Sequence, residues 1–290
     1  MSRRGGGARA RAASCAVVVL AGAASGCSEV IGLADLAYDR DPASVEAPPG
    51  MVGFDDGSGA TAFIDAREVT VAEYLAWLDG GAEPLLGGER CGWNDSLVPN
   101  VPSAGGDASD CATNGFDWVA EQGERPGFPV RCVDWCDAAE FCAQHDRHLC
   151  GRVGGGTVDT RYDGEEFFLP EPLTSTWYLA CSRAGTQAYP YDDAYDAQAC
   201  NGDSGALEAS GARATCEGGY PGLRDMSGNV EEWEDACDPP GGADAACMRR
   251  GGGFYAAQIY DPTWLQCAML LPTDRRVMAA STGFRCCAEP

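Results

Sequence analysis

Two acidic residues flank a short turn in the second half of the chain. Asp225 and Glu232 lie on either side of Ser227–Gly228–Asn229, and backbone carbonyls two residues apart in this stretch can face one side. Ca²⁺ takes about six to eight oxygen ligands and often combines carboxylates with backbone carbonyls. The pattern favours a calcium site over the plainer alternative, a hairpin turn with two solvated acids. Its four predicted ligand residues are Asp225, Gly228, Val230 and Glu232.

Sixteen cysteines are the second chemical feature of the chain. This number is far above what a reducing compartment leaves unpaired, so we predict disulfides and an exported protein. No two cysteines form a C-x-x-C pair, which argues against a zinc ribbon or a thioredoxin-like motif. If Cys15 and Cys27 are set aside, fourteen remain, enough for seven bridges. A short proline- and glycine-containing loop predicts the pair Cys237–Cys247, and a similar spacing suggests Cys200–Cys216.

Other reactive side chains give weaker signals. His145 and His148, three residues apart, could hold a metal from one helix face. A basic residue at the end of a helix is also favoured by the helix dipole, and we prefer that interpretation. Gly202–Gly205 has the letters of a serine-protease nucleophile loop, but a turn is the better interpretation of such a glycine-rich stretch.

Charge excludes one class of partner. The chain has 44 acidic and 20 basic residues, a formal charge of −24, and every basic residue is arginine. Such a surface repels nucleic acid and anionic lipid headgroups, whereas it suits cation binding and solubility. We therefore expect no nucleic-acid partner.

The amino terminus indicates export and a lipid anchor. Residues 1–26 contain a basic start and a short apolar run, Ala16–Ala24, which is too short to span a bilayer of ~30 Å. Ala24–Ser25–Gly26–Cys27 resembles a bacterial lipobox, so we predict a lipoprotein signal peptide over residues 1–26 and acylation of Cys27. Plain secretion is the alternative. Residues 27–49 lack periodicity and end in prolines, which is typical of a flexible tether.

The remaining residues, 50–290, read as one α+β domain with sparse secondary structure. Three helices are predicted, the first capped by Thr70 with Glu73 three residues on, the second capped by Asp134, and the third over residues 174–184. On the first helix Val71, Tyr74, Leu75 and Leu78 share one face. Short strands are predicted at residues 62–64, 131–133, 167–169 and 283–287.

An ordered set of motifs resembles the formylglycine-generating enzyme, or sulfatase-modifying factor, family. The set contains Asp225–Trp233, the glycine triplet Gly251–Gly253 followed by Phe254, and Gly283–Cys286 near the end. Earlier pieces, such as Pro129–Val130 and the Trp177 region, occur in the family's order. The resemblance runs from about residue 50 to 288. It implies a C-type-lectin-like fold with little regular structure, held by loops, ions and disulfides.

The resemblance also implies particular pairs and ligands. It suggests the disulfides Cys142–Cys286 and Cys181–Cys267, and its calcium positions fall on the four turn residues named above. A second family calcium site would begin at Asn201 and Gly202. The sequence assigns no partner to the remaining six cysteines: Cys91, Cys111, Cys132, Cys136, Cys150 and Cys287.

The family's oxidase chemistry is where the chain departs from the pattern. The family holds Cu(I) with two thiolates shortly after the glycine triplet, because soft ligands select this ion. The matching stretch has Ala256 near the first position and Asp261 near the second. The family's serine after two glycines is Gly253, and its tryptophan within the G-N-V motif is Glu231. No catalytic residues are therefore assigned, and no copper is expected.

Two functional hypotheses follow. The first is a non-catalytic, calcium-stabilised, disulfide-rich binding or structural module of a cell-envelope lipoprotein. Its ligand would be an unknown protein, peptide or glycan. It would be attached to the membrane, expected to be the outer membrane, only through its lipid. Aromatic and basic residues between 254 and 276 would suit recognition: Tyr255, Tyr260, Trp264, Leu265, Arg275 and Arg276. The alternative is a formylglycine-generating copper oxidase acting on a sulfatase cysteine, with a displaced pair such as Cys286–Cys287 or Cys132 and Cys136. We favour the first.

Overall fold

The computed structural model describes residues 46–56, 59–162, 167–168, 172–238 and 242–289, which fall within one compact unit. Its strands are β1 (Met51–Asp55), β2 (Thr61–Asp65), β3 (His148–Leu149), β4 (Arg161–Tyr162), β5 (Phe167–Phe168), β6 (Glu231–Cys237), β7 (Ala246–Arg250), β8 (Leu271–Asp274), β9 (Thr282–Gly283) and β10 (Cys286–Ala288). Its α-helices are α1 (Val71–Asp79), α2 (Gly88–Cys91), α3 (Ser109–Thr113), α4 (Trp118–Glu124), α5 (Trp135–Ala143), α6 (Thr176–Ser182) and α7 (Ala256–Ile259).

Local sequence explains where the three predicted helices begin. Thr70 accepts a hydrogen bond from the Glu73 amide, while the Glu73 carboxylate accepts one from the Thr70 amide, so α1 starts with a complete capping box. Asp134 and Asp137 form the same reciprocal arrangement at α5. Ser175 caps α6. All three helices are present in the structure, and the third is shorter than expected.

Two four-stranded sheets form the framework. In the first, β1, β2, β10 and β3 pair in that order and are antiparallel, so that Ile64 from the start of the domain lies opposite Cys287 from its end. In the second, the order is β8, β7, β6 and β9, and β9 runs parallel to β6. Strand β6 of this sheet begins directly after the turn at residues 225–230.

Aromatic side chains fill the space between sheets and helices. Tyr74 of α1 stacks on Phe141 of α5 with ring centroids 5.5 Å apart, and Phe284 meets Phe141 edge-on. A second group centres on Trp177 of α6, which is completely buried. Aromatic pairs of this kind add about 0.5–1.5 kcal/mol each beyond the burial of their area. They give a loop-rich chain a solid interior.

Some sequence expectations were wrong. Residues 131–133 form no strand, because Cys132 takes a left-handed conformation with φ 60° and is bonded to Cys111. On α1 the buried face contains Trp77, whereas Leu75 and Leu78 are only partly buried. The helices α2, α3, α4 and α7 were not foreseen, since each has only four to seven residues.

Three predictions concern the amino-terminal part of the chain. The signal peptide at residues 1–26, the acylated Cys27 and nearly all of the tether at 27–49 lie outside the described residues. In the described residues, no helix has the length and apolar character needed to cross a membrane.

Candidate functional site

The turn at residues 225–230 leads directly into β6 and is held in a narrow space. Gly228 has φ +79°, and a Cβ there would lie 2.4 Å from the carbonyl oxygen of Asn201, so only glycine fits. Asn229 donates its backbone N–H to that same carbonyl at 2.7 Å. The side-chain amides of Asn201 and Asn229 are hydrogen-bonded at 3.0 Å. The two segments that were predicted to bind calcium are therefore adjacent.

Glu232 is buried within this region, and its carboxylate accepts three hydrogen bonds. Both of its carboxylate oxygens accept hydrogen bonds from Arg285, each at 2.6 Å, and one also accepts from the Trp177 indole at 2.8 Å. Glu232 and Arg285 are at most 1% exposed. A paired guanidinium–carboxylate contact of this kind is among the strongest polar interactions in proteins. It joins the predicted calcium turn to the end of the chain.

Glu68, between β2 and α1, is the residue that sequence reasoning missed. It is fully buried, its Oε1 accepts a hydrogen bond from Asn229 at 2.9 Å, and no N–H group of the described residues donates to its Oε2. Burial, followed by the nearby Asp225 carboxylate, raises the pKa of Glu68 well above its ordinary value. Burial also raises the pKa of Asp225, which interacts directly with Glu68. Nothing in the sequence marked Glu68, because its partners are far along the chain.

These contacts bear on whether the residues fit calcium. Three carboxylates, of Glu68, Asp225 and Glu232, interact with the single guanidinium of Arg285. Negative charge therefore remains unbalanced if all three acids are ionised, and unbalanced buried charge is costly. No three acidic, histidine or cysteine side chains converge as a metal cluster in the part of the chain that the structure describes. Carbonyls of the turn would have to complete the set, and that mixture suits calcium.

The second predicted cation site has a different donor set. The Asn201 side chain accepts a hydrogen bond from Ser204, and the Gly202 carbonyl accepts one from the Ala257 amide. Between residues 205 and 213, Arg213 pairs with Glu208 and donates to the carbonyl of Cys200 at 3.0 Å. A guanidinium therefore lies next to the predicted ligands Asn201 and Gly202. This site stays a prediction with less support than the first.

A surface cleft lies beside the glycine triplet. It consists of two adjoining cavities of about 390 and 740 Å³, which share the lining residues Asp110, Tyr255, Tyr260 and Ser281. At its centre the Tyr255 hydroxyl contacts Ser281 Oγ at 3.0 Å and Glu231 at 3.2 Å. Burial, and then the Glu231 charge, raises the pKa of Tyr255 to about 12. Tyr255 is therefore a neutral hydrogen-bond donor at physiological pH and a poor base.

Only some of the predicted recognition residues face this cleft. Tyr255, Tyr260 and Trp264 line it, and the last two stack with centroids 3.9 Å apart. Leu265 and Arg275 are buried in the structure, so their assignment to a recognition surface was wrong.

The weaker chemical motifs take structural roles. His145 contacts the Phe141 carbonyl at 2.7 Å, whereas His148 contacts the Leu149 carbonyl and lies 3.6 Å from Glu289. Ser204 hydrogen-bonds Asn201 and the Ala206 carbonyl. The contacts of Ser204 agree with a turn. His145 follows α5, whereas His148 lies in β3, so the expectation that both histidines end the second helix was wrong for His148.

Comparison with known proteins identifies the family. Residues 56–290 match the model of the sulfatase-modifying factor enzyme 1-like domain. The chain belongs to this family. The formylglycine-generating enzyme of Thermomonospora curvata is 26% identical over 271 residues, covering 78% of this chain and 82% of the relative.

Solved structures with a similar course of the backbone include CarF and PvdO from Pseudomonas aeruginosa. CarF is 18% identical to this chain with a TM-score of 0.47, and the match covers 79% of this chain and 87% of the CarF chain. PvdO is 17% identical with a TM-score of 0.47, covering 80% and 82%. The match to the family model gives this chain the α+β, C-type-lectin-like fold of the sulfatase-modifying factor family.

In this member of the sulfatase-modifying factor family, the stretch after the glycine triplet serves packing and capping. Ala256 is buried at the start of α7. Asp261 accepts a hydrogen bond from the Thr263 amide at 2.8 Å and caps the short 3₁₀ turn Pro262–Leu265. The next cysteine, Cys267, is bonded to Cys181. Neither family copper position offers a thiol.

All cysteines in the described residues are paired, in seven disulfides. The four pairs suggested earlier are present: Cys142–Cys286, Cys181–Cys267, Cys200–Cys216 and Cys237–Cys247. The six cysteines left open form Cys91–Cys136, Cys111–Cys132 and Cys150–Cys287. The displaced copper pairs considered for the alternative hypothesis were wrong, because all of their sulfurs are in bridges to other residues.

Proposed function

We propose that this sulfatase-modifying factor domain is a non-catalytic, calcium-stabilised, disulfide-rich binding or structural module. One observation carries the proposal, namely that every cysteine from Cys91 to Cys287 is bridged. The family's oxidation needs thiolates to hold Cu(I) and to engage a substrate cysteine. Alanine cannot ligate a metal, and carboxylate is a poor ligand for this soft ion. The scaffold remains while the reactive groups are replaced.

A paired assay tests the absence of oxidase activity. The mature protein, unfolded without reductant, is titrated for free thiols, and the folded protein is incubated with Cu(I) and a cysteine-containing sulfatase peptide. We expect no free thiol and no formylglycine by mass spectrometry. The Thermomonospora curvata enzyme, assayed in parallel, is the positive control. Formylglycine formation by this chain would establish the alternative, a copper oxidase.

The proposed calcium ion is supported by the three buried carboxyl groups around Arg285, which a bound cation would allow to ionise together. Asp225 and Glu232 would bind it together with carbonyls of the turn, and Glu68, whose carboxyl interacts with that of Asp225, would be a further ligand. Bound calcium would supply positive charge that holds the turn and β6 in place. A ligand present at 100 times its dissociation constant stabilises the folded state by about 2.7 kcal/mol.

Calcium binding is tested by metal analysis and by unfolding in EDTA or excess Ca²⁺. We expect about one equivalent of tightly bound metal and a higher unfolding midpoint with Ca²⁺. Glu68→Gln should abolish the calcium-dependent shift. Glu121→Gln, another buried glutamate that pairs with Arg131, should lower stability but keep the shift. An unchanged shift in Glu68→Gln, or no shift in the parent protein, contradicts the site.

The location of the module is proposed from the amino terminus. Acylation of Cys27 would attach the protein to the cell envelope, and the outer membrane is the expected site. The ligand would be a protein, peptide or glycan. Incorporation of labelled palmitate that is lost in Cys27→Ser would support the anchor, whereas release of a soluble, unlabelled parent protein would contradict it.

A further inference from the structure

Three aromatic side chains line the cleft beside the glycine triplet, namely Tyr255, Tyr260 and Trp264. The rings of Tyr260 and Trp264 lie parallel within 9°, with their centroids 3.9 Å apart. Tyr260 is nevertheless 50% exposed. Because Trp264 covers one face of the Tyr260 ring, the exposed area lies on the opposite face and on the ring edge. An open aromatic face at a cavity is where the apolar side of a ligand ring can pack.

Neutral hydrogen-bonding groups surround this ring without using their capacity inside the protein. Among the described residues, none makes a hydrogen bond to the Tyr260 hydroxyl, the Thr273 hydroxyl or the Trp264 indole N–H. All three side chains line the smaller cavity, and the polar atoms of Thr273 and Trp264 reach solvent. The hydroxyls of Tyr255 and Ser281, 3.0 Å apart, lie in the same cavity. A ligand with several uncharged donors and acceptors would satisfy these groups.

The charged side chains of the cleft balance one another. Three arginines and three acids lie in or beside the two cavities: Arg125, Arg131, Arg249, Asp110, Glu121 and Glu231. Arg249 contacts Glu231 at 2.5 Å, and the other two arginines share Glu121. The formal charges of this group sum to zero. Charge complementarity therefore selects neither an anionic nor a cationic ligand, and an uncharged one fits best.

The sheet edge beside the cleft disfavours an extended peptide. Strand β8 is the outermost strand of the second sheet, and its residues Leu271, Pro272 and Thr273 line the smaller cavity. Peptides often bind by adding a strand to such an edge, through a row of backbone hydrogen bonds. Here Pro272 has no N–H, and the strand has only four residues. A peptide would therefore lack part of the hydrogen-bond ladder that gives this mode its affinity.

We propose that this cleft binds a neutral oligosaccharide, with the C–H face of one pyranose ring against Tyr260 and ring hydroxyls bonded to Thr273 and Trp264. A pyranose ring has an apolar C–H face and hydroxyls that each donate and accept, which matches an open aromatic face beside uncharged polar groups. An anionic sugar would meet the repulsion of a chain with a formal charge of −24. The inference rests on the proposed binding function and specifies its ligand.

Saturation-transfer NMR and isothermal titration of the intact mature protein test the proposal. The probes are neutral trisaccharides of glucose, mannose, galactose and N-acetylglucosamine. Trigalacturonate is the anionic sugar, and an acetylated, amidated tetrapeptide without charged side chains is the peptide probe. We expect at least one neutral trisaccharide to bind, with saturation on the C–H protons of one ring face. Trigalacturonate should bind about tenfold more weakly than that sugar, and the peptide should not compete.

Variants separate the aromatic face from the hydrogen-bonding groups. Tyr260→Ser should weaken the bound trisaccharide about tenfold and remove the saturation of its C–H face. Thr273→Val keeps the shape of the side chain and should weaken binding about fivefold, because one hydrogen bond is lost. Tyr220→Ser is the matched control, since Tyr220 is a partly buried tyrosine that stacks on Phe54 and lines neither cavity. It should leave the affinity unchanged.

Several results would overturn the proposal. These are binding by none of the neutral trisaccharides, equal affinity for trigalacturonate, displacement of the sugar by the tetrapeptide, or an unchanged affinity in both Tyr260→Ser and Thr273→Val. Failure here differs from failure of the proposed function, which would appear as formylglycine in the oxidase assay whether or not sugars bind.

Discussion

Two of the disulfides close nearly the same loop of the chain, so their contributions to the unfolding free energy should be non-additive. Cys142–Cys286 and Cys150–Cys287 span 144 and 137 residues, and their ends are close in sequence on both sides. When one is intact, the other closes an extra loop of only about ten residues, worth about 3 kcal/mol in the chain-entropy model. Removing either one alone should therefore cost about 3 kcal/mol of unfolding free energy.

Loss of the remaining bridge is expected to cost more. Because Cys181–Cys267 already joins two points inside the span of both bridges, the remaining bridge closes a loop of about 60 residues. Its removal therefore costs about 4 kcal/mol of unfolding free energy. The four-serine variant should thus lose about 1 kcal/mol more than the sum of the two single-bridge variants. Packing changes from cysteine to serine largely cancel in this cycle, since they are local.

Urea unfolding under non-reducing conditions measures the cycle, with serine replacing both cysteines of each bridge. A four-serine chain that is unfolded without urea, while each single-bridge variant stays folded with a loss of about 3 kcal/mol, also agrees with the expectation. The control cycle combines removal of Cys142–Cys286 with removal of Cys237–Cys247, which closes a separate loop of ten residues and should show no coupling. Additive losses in the first cycle, or about 5 kcal/mol for one bridge alone, would refute the shared-loop reasoning.

Three further predictions concern single residues. Gly228→Ala should lower the unfolding free energy by roughly 3 kcal/mol or more, because the new Cβ meets the Asn201 carbonyl at 2.4 Å and the backbone has φ +79°; a loss below about 1 kcal/mol in urea would contradict this. Burial raises the pKa of Asp134 to about 7 in the folded protein, so the folded state favours the protonated carboxyl. The resulting stabilisation is fully present below the ordinary pKa of an unfolded aspartate and is lost as pH rises through about 7. Asp134→Asn should flatten stability between about pH 4 and 7 in thermal unfolding, whereas Asp117→Asn, at an exposed helix cap, should leave the slope unchanged. Arg285→Lys keeps a charge but not the paired contact to its buried carboxylate partner, so we expect a loss of about 2–3 kcal/mol with an unchanged urea slope, and an unaltered midpoint would exclude that role.

Much of the local structure was predictable because its causes lie within a few residues. Thr70 and Asp134 begin their helices with hydrogen bonds to residues three positions on, which any reader of the sequence can find. The short helices α2, α3, α4 and α7 were not predictable in this way. They are stabilised by their surroundings, since helices of four to seven residues are marginal on their own.

The sequence by itself determined the family, four of the seven cysteine pairs, and the loss of the copper thiolates at Ala256 and Asp261. These depend on residue identity and order, which folding does not alter. Only the tertiary structure decided that Glu68 joins Asp225 and that Arg285 pairs with Glu232. It also decided that Arg125 and Arg131 share one acid, Glu121. Such contacts arise where strands and loops distant in the chain meet, and their balance of charge depends on burial, which residue spacing does not encode.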